Sequence, residues 1–190
     1  MSTKKLVGLV KGVLIELGEN PTREGLRDTP NRVARMYQEM FLGYDPKKKP
    51  KLTSFSNPNL HYDQIVSDHG YFYSHCEHHM VPFFGEYYFG YIPNGKIIGL
   101  SKIARLIDYC SAKLQVQENL TKEILDTIEK ELKPKGTILI MKARHLCKEM
   151  RGVKKNNGEM TTMDARGIFK ENYDKRKEFM NILALSSSLS

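Results

Sequence analysis

The hydrophobic pattern changes character near residue 62, where strand-like runs first appear, and that change limits what this chain can fold into. Before it, apolar residues recur at helical spacing. Leu6, Leu9, Val10, Val13, Leu14 and Leu17 share one broad face over residues 4–17, and Asn20-Pro21 breaks the pattern. Val33, Met36, Tyr37, Met40 and Phe41 fall at i, i+3, i+4, i+7 and i+8 of a second helix, which Gly43 ends. Thr29 is its expected N-cap, with Pro30 at N1, where a missing N–H costs nothing. Residues 44–60, rich in Lys, Pro and Asn, read as a linker or exposed loop.

Beyond residue 62 the pattern is that of strands. Ile65-Val66, Tyr71-Phe72-Tyr73, Glu86–Ile92 and Lys96–Leu100 fit. The last two flank Pro93-Asn94-Gly95 and read as a hairpin. Ser101 is the expected cap of a helix with Ile103, Leu106, Ile107 and Cys110 on its apolar face. Another helix fits Asn119–Leu132, stopped by Pro134-Lys135-Gly136. Thr137–Ala143 reads as a buried strand, Thr161–Phe169 as a further strand, and residues 174–184 as a last helix. This order predicts an α+β fold with an antiparallel sheet. The expected divisions are a helical region and linker over 1–60, a catalytic domain over 61–185, and a flexible tail over 186–190.

Composition narrows the class. With 40% hydrophobic and 27% charged residues, a wholly disordered chain is excluded. No run reaches the roughly 18–20 apolar residues of a membrane helix. Lys11, Glu16 and Glu19 interrupt what could pass for a signal peptide, so the expected location is the cytosol. The net charge of +8 permits nucleic acid, a polyphosphate or an anionic membrane as partner and selects none. The 3 cysteines, an odd number without secretory context, argue against a disulfide framework.

The chemistry concentrates in His75-Cys76-Glu77-His78-His79, which holds three of the 6 histidines. Cys76 and His79, spaced C-x-x-H, can chelate one metal from one turn, and Cys147 follows a predicted strand. Two thiolates and an imidazole suit zinc with an open fourth position, the mark of a catalytic site. Structural zinc with Cys110 as fourth ligand, or no metal at all, are the alternatives. Cys110 sits on a predicted apolar face, where a buried cysteine is common. His78 and His145 neighbour the proposed ligands and titrate near neutral pH, so either could carry protons. Each could equally be a core or supporting histidine.

Gln117-Glu118 offers an amide beside a carboxylate, a pair suited to a purine edge; the competing reading is an exposed polar turn. Ser101-Lys102 at a helix N-terminus is a fair phosphate seat. Arg105, Arg151, Arg32 and Arg35 add positive charge, although each alone is more often a surface residue. Neither G-x-x-x-x-G-K-[ST] nor G-x-G-x-x-G occurs, so a P-loop or Rossmann reading has no support.

Taken together these segments resemble GTP cyclohydrolase I. The matching text is Asp28–Tyr37, Cys76-Glu77-His78-His79, Gly99–Arg105, Gln115–Thr121, His145-Leu146-Cys147, Met150-Arg151-Gly152-Val153 and Arg176-Lys177-Glu178-Phe179. The resemblance implies GTP as substrate and Zn2+ held by Cys76, His79 and Cys147. Zinc-bound water would attack C8 of the guanine. His78 would protonate N7, with His145 its partner in proton transfer. Formate would leave, and rearrangement would give 7,8-dihydroneopterin triphosphate. Glu118 and Gln117 would hold the guanine edge, and Ser101, Lys102, Arg105, Arg151, Arg32 and Arg35 the ribose and triphosphate.

The implied architecture is the tunnelling fold, an antiparallel sheet with helices on one face after an N-terminal helical extension. Its sheet closes into a barrel across subunits, in a homodecamer of two pentamers with active sites at subunit interfaces, and neither nucleic acid nor membrane is a partner. Arg35 stands where Lys is frequent in that family, Glu86 where Lys is expected, and Lys148 where Met is usual. The competing readings are another tunnelling-fold pterin or queuosine enzyme, which would want a different ligand set, and a non-enzymatic zinc module for nucleic acid. The second is weak, because aromatics are 9% and do not interleave with basic runs.

Overall fold

The computed structural model describes residues 2–56 and 64–187. Helices α1 (Thr3–Glu16) and α2 (Thr29–Met40) pack side by side, and Gln38 donates to the Thr3 hydroxyl across them at 2.8 Å. Asp28, not Thr29, occupies the cap position of α2, so Thr29 is the first helical residue and Pro30 the second. The apolar stripes of the two helices meet incompletely. They leave a groove of about 600 Å³ lined by residues such as Leu6, Val10, Val13, Val33 and Phe41.

The segment expected to be a linker carries single turns at Leu42–Tyr44 and Pro46–Lys48 and a short strand, β1 (Ser54–Ser56). Residues 57–60 of that segment lie outside the described residues, as do 188–190 of the expected tail.

The sheet has five strands in the order β5-β2-β3-β6-β7: β2 (Val66–Cys76), β3 (Pro82–Ile92), β5 (Leu114–Gln115), β6 (Gly136–His145) and β7 (Glu159–Gly167). Val66 of the run expected at 65–66 and all of the run at 71–73 belong to the one strand β2. Its pairings are antiparallel except that β5 joins the Cys76 end of β2 in parallel. The expected hairpin around Pro93-Asn94-Gly95 does not form. Both edges of β3 are taken, by β2 and β6, so β4 (Lys96–Ile98) has no edge to join and pairs with β1 instead. The strand expected over 161–169 begins two residues earlier and gives way at Ile168 to the one-turn helix α6 (Ile168–Glu171).

Side chains alternate between the two faces of the sheet. Phe83, Tyr87 and Phe89 of β3 and Leu139 and Met141 of β6 point to one face. There they bury α3 (Leu100–Ser111) and α4 (Gln117–Leu132) through Ile103, Leu106, Leu120 and Ile124. Each such side chain contributes roughly 1.5–3 kcal/mol by leaving water. The expectation of helices on one face holds for these two.

The C-terminal helix α7 (Tyr173–Ser187) departs from it. With α6 it covers one end of the opposite face, where Phe169 and Phe179 pack on Ile92 and Ile138. Gly90 makes room there, since a Cβ at that position would lie 2.6 Å from the Phe179 ring. Helix α3 starts after Gly99, so Ser101 lies inside its first turn rather than capping it. Helix α4 starts two residues earlier than expected, which puts Gln117 and Glu118 in a helical turn rather than a loop.

Candidate metal centre and active site

At Cys76 the chain leaves β2 and returns within a few residues. Cys76 N–H donates to the Val81 carbonyl at 2.9 Å, and the Cys76 carbonyl accepts from Met80 N–H at 2.8 Å. Met80 closes this turn with a left-handed φ of 56°. The turn brings His79 Nδ1 to 3.8 Å from Cys76 Sγ. Cys147 arrives from the far end of the chain, on the one-turn helix α5 (Leu146–Glu149) that follows β6.

The ligand atoms of Cys76, His79 and Cys147 all lie within 4.8 Å of one another. Among the described residues they form the one such cluster of His, Cys, Asp or Glu. A tetrahedral zinc with Zn–S near 2.3 Å and Zn–N near 2.0–2.1 Å needs ligand atoms roughly 3.5–3.8 Å apart, so the donor set fits. Burial pushes the Cys147 thiol pKa up, and the adjacent Cys76 thiol pushes the same way. Two thiolates this close repel each other, and a cation between them removes that penalty.

Cys110 is no part of the set. It points from α3 into the core, and that burial, reinforced by the Glu123 carboxylate, pushes its thiol pKa to about 12.

The two further histidines differ in setting. His78 borders the cluster from the solvent side, with Nδ1 3.7 Å from Cys76 Sγ and its side chain 65% exposed. His145 ends β6 with its ring flat against Phe83, centroids 4.6 Å apart. Burial holds the His145 pKa below its ordinary value, and the Glu118 charge opposes that shift. His145 Nε2 lies 2.9 Å from Gln117 Oε1.

Gln117, expected to hold a guanine edge together with Glu118, is 1% exposed. Its Nε2 donates to the carbonyls of Met141 (2.8 Å) and Met160 (3.1 Å) and to the Thr162 hydroxyl (3.2 Å). Glu118, the next residue, is exposed. Arg151 reaches the cluster directly, its Nη1 2.9 Å from His79 Nε2.

Other expected residues stand apart. Ser101, Lys102 and Arg105 occupy the N-terminal half of α3, where Ile103 packs near Val66 and Ser67. That is the opposite end of β2 from Cys76, an eleven-residue strand spanning roughly 30 Å. Arg32 and Arg35 are exposed on α2.

Sequence reasoning missed Phe83, Thr162 and the pair Arg144–Glu149. Only strand register reveals the first: Phe83 is the cross-strand partner of His145. The other three become neighbours of the site only once β6, β7 and α5 are paired and packed.

These features describe an α+β protein with a Cys-His-Cys group that could hold a metal ion, bordered by two histidines. The model of the family GTP cyclohydrolase I matches residues 7–184. Bifunctional protein FolKE of Lactococcus lactis subsp. lactis (strain IL1403) is 50% identical over 176 residues, 92% of this chain and 50% of that protein. GTP cyclohydrolase 1 of Streptococcus pyogenes serotype M5 (strain Manfredo) is 41% identical over 184 residues, 96% of this chain and 94% of that protein. Thus the chain spans half of FolKE and nearly all of the streptococcal protein. Among solved structures, the archaeosine synthase QueF-Like in the apo form aligns with 54% of this chain at 16% identity and a TM-score of 0.45.

The chain belongs to the GTP cyclohydrolase I family. Its activity is that family's, the first step of folate biosynthesis.

Proposed function

We propose that the chain hydrolytically opens the guanine imidazole ring of GTP, with Zn2+ held by Cys76, His79 and Cys147, in a site completed by a second copy of itself. Formate leaves, and the remaining skeleton rearranges and closes to 7,8-dihydroneopterin triphosphate. The observation that carries this reading is the convergence of the three ligand atoms within 4.8 Å. When bound, zinc supplies a Lewis acid and an activated water for attack at C8.

The chain's own residues do the rest. Protonation of N7 makes C8 a better electrophile, and His78, outside the ligand set, is the proposed donor. His145 takes or returns a proton through Nδ1, because its Nε2 is engaged by Gln117. Glu118 accepts from the guanine N–H edge. Gln117 acts through His145 rather than on the base. Arg151, together with Ser101, Lys102, Arg105, Arg32 and Arg35, holds the ribose and triphosphate. Binding energy from that charged tail positions the ring for attack.

A second copy accounts for the distance between Ser101 and Cys76. It also accounts for two sheet edges, Val66–Ser74 of β2 and all of β7, that carry no strand partner among the described residues. The apolar groove of α1 and α2, with Leu9 67% and Leu17 73% exposed beside it, is a further surface for association. A decamer of two pentamers, the division of the chain into residues 1–60 and 61–185, and action in the cytosol belong to this proposal. No helix among the described residues is long and apolar enough to cross a membrane.

The test is to incubate the purified chain with GTP and assay formate and a pterin product, before and after chelation and after zinc is restored. Loss with chelator and recovery with zinc support reaction and metal together. Turnover that ignores the chelator removes the metal from the proposal, and zinc binding without turnover removes the substrate.

A further inference from the structure

His145 and Cys147 sit two residues apart, and one ion pair brackets both. Arg144 Nε donates to Glu149 Oε1 at 3.0 Å, and Arg144 Nη2 donates to Glu149 Oε2 at 2.6 Å. Two parallel N–H···O bonds of this kind fix orientation as well as distance. The Glu149 side chain is 6% exposed and that of Arg144 46%. An exposed ion pair holds little in place, but a forked pair with one member buried differs from that case.

The rest of the strand end is braced on both faces. Phe83 and Phe84 of β3 lie opposite His145 and Arg144 in register. Phe83 stacks on His145 on one face. On the other, the Arg144 guanidinium lies over Phe84 at 6.0 Å, and Phe84 stacks on Tyr73 with centroids 5.9 Å apart. So Arg144 is anchored to the sheet before it reaches Glu149.

Helix α5, which carries Cys147, is a single turn. One turn does not sustain itself, because helix nucleation is unfavourable. Some tertiary tie must fix it. Glu149 ends this turn, and its carboxylate is tied back to the residue that precedes His145.

We infer that Arg144 and Glu149 are positioning residues: their forked ion pair fixes the α5 turn so that Cys147 Sγ faces Cys76 and His79, and thereby sets how long the metal is retained. The metal part rests on the zinc reading above; the thiol geometry does not.

The experiment compares wild type with Glu149→Gln, Arg144→Met and Arg144→Lys by three readouts. The first is the rate of zinc release to a chelator. The second is the rate at which iodoacetamide alkylates Cys147 in zinc-free protein, resolved from Cys76 by mass spectrometry. The third is the melting temperature of the zinc-free chain. Glu149→Gln and Arg144→Met release zinc about tenfold faster, the low end for groups that orient metal ligands. Cys147 alkylation rises by a similar factor while melting stays close to wild type. Arg144→Lys falls between, since lysine keeps the charge and loses the fork.

Unchanged release and alkylation in both charge-removing variants would overturn the inference. So would increases that merely track a lower melting temperature. If wild type itself retains no zinc, the metal reading fails, and the alkylation rates alone then decide the clamp.

Discussion

Gln117 Oε1 and His145 Nε2 lie 2.9 Å apart, and the direction of that hydrogen bond is fixed by the other end of the amide. Gln117 Nε2 faces the carbonyls of Met141 and Met160, which only accept. The oxygen end therefore faces His145, and His145 Nε2 carries the hydrogen. A neutral His145 is left with its lone pair on Nδ1, so Gln117 selects the tautomer.

Replacing Gln117 by Met keeps the length and removes the acceptor. The expected result is a kcat about 10–100-fold lower, less than the roughly 10²–10⁴-fold that a proton-transfer group itself supplies because Gln117 only orients His145, with KM for GTP little changed. Steady-state kinetics beside calorimetric GTP binding check this. A normal kcat with a weakened KM would return Gln117 to the guanine edge.

His78 and Cys147 separate proton transfer from metal binding. His78→Ala leaves Cys76, His79 and Cys147 intact, so it keeps zinc and loses turnover, by about 10²–10⁴-fold if it acts as a general acid. Cys147→Ala loses both. Metal analysis of each purified variant, paired with a formate assay, reads the two effects. Zinc loss in the His78 variant would make it a ligand and undo the assignment.

These roles were unevenly legible. The C-x-x-H spacing told that Cys76 and His79 share one turn, because that geometry is local. That Cys147 meets them depends on β6 pairing with β3, which ends at Phe83 opposite His145. Local rules misread Pro93-Asn94-Gly95 because hairpin chemistry says nothing about whether an edge is free, and β3 has none. The partners of Gln117, namely Met141, Met160 and Thr162, are not legible from sequence because they lie 24 to 45 residues away. The starts of α3, α4 and α7 are legible to within about two residues because their apolar faces are periodic, whereas the single turns α5 and α6 carry no such period. The cap of α3 lies two residues before Ser101, at Gly99, which has no side chain to mark it.

Cys110 predicts a pH dependence. An unfolded thiol ionises near 8.5, whereas burial and the Glu123 carboxylate push that of folded Cys110 to about 12. Between those values the native state keeps a proton that the unfolded state has lost. Its contribution is therefore complete below the unfolded value and lost as pH rises, by about 1.4 kcal/mol per unit. Tyr87 and Tyr88 shift the same way but are common to wild type and variant. Cys110→Ala is thus less stable than wild type at neutral pH, from the lost packing, yet declines less steeply above the thiol range. Urea unfolding across the alkaline range measures both slopes, and parallel curves would refute the assignment to Cys110.

The last prediction concerns where one site ends and the next chain begins. Ser101, Lys102 and Arg105 lie near the Val66 end of β2 and the proposed metal ligands near the Cys76 end, so one chain does not bring both sets to one nucleotide. Two inactive variants, Arg105→Ala and Cys147→Ala, damage opposite halves of such a composite site. Coexpressed with different tags and purified through both, they form hybrids in which some sites join an intact Arg105 from one copy to an intact Cys147 from the other. Those hybrids regain part of the activity although each parent alone has none. A site built within one chain contains one lesion or the other in every copy, and no mixture could revive it. Dead hybrids with normal oligomer size would therefore place the triphosphate on other residues of the same chain, and Arg151, already 2.9 Å from His79, is where to look.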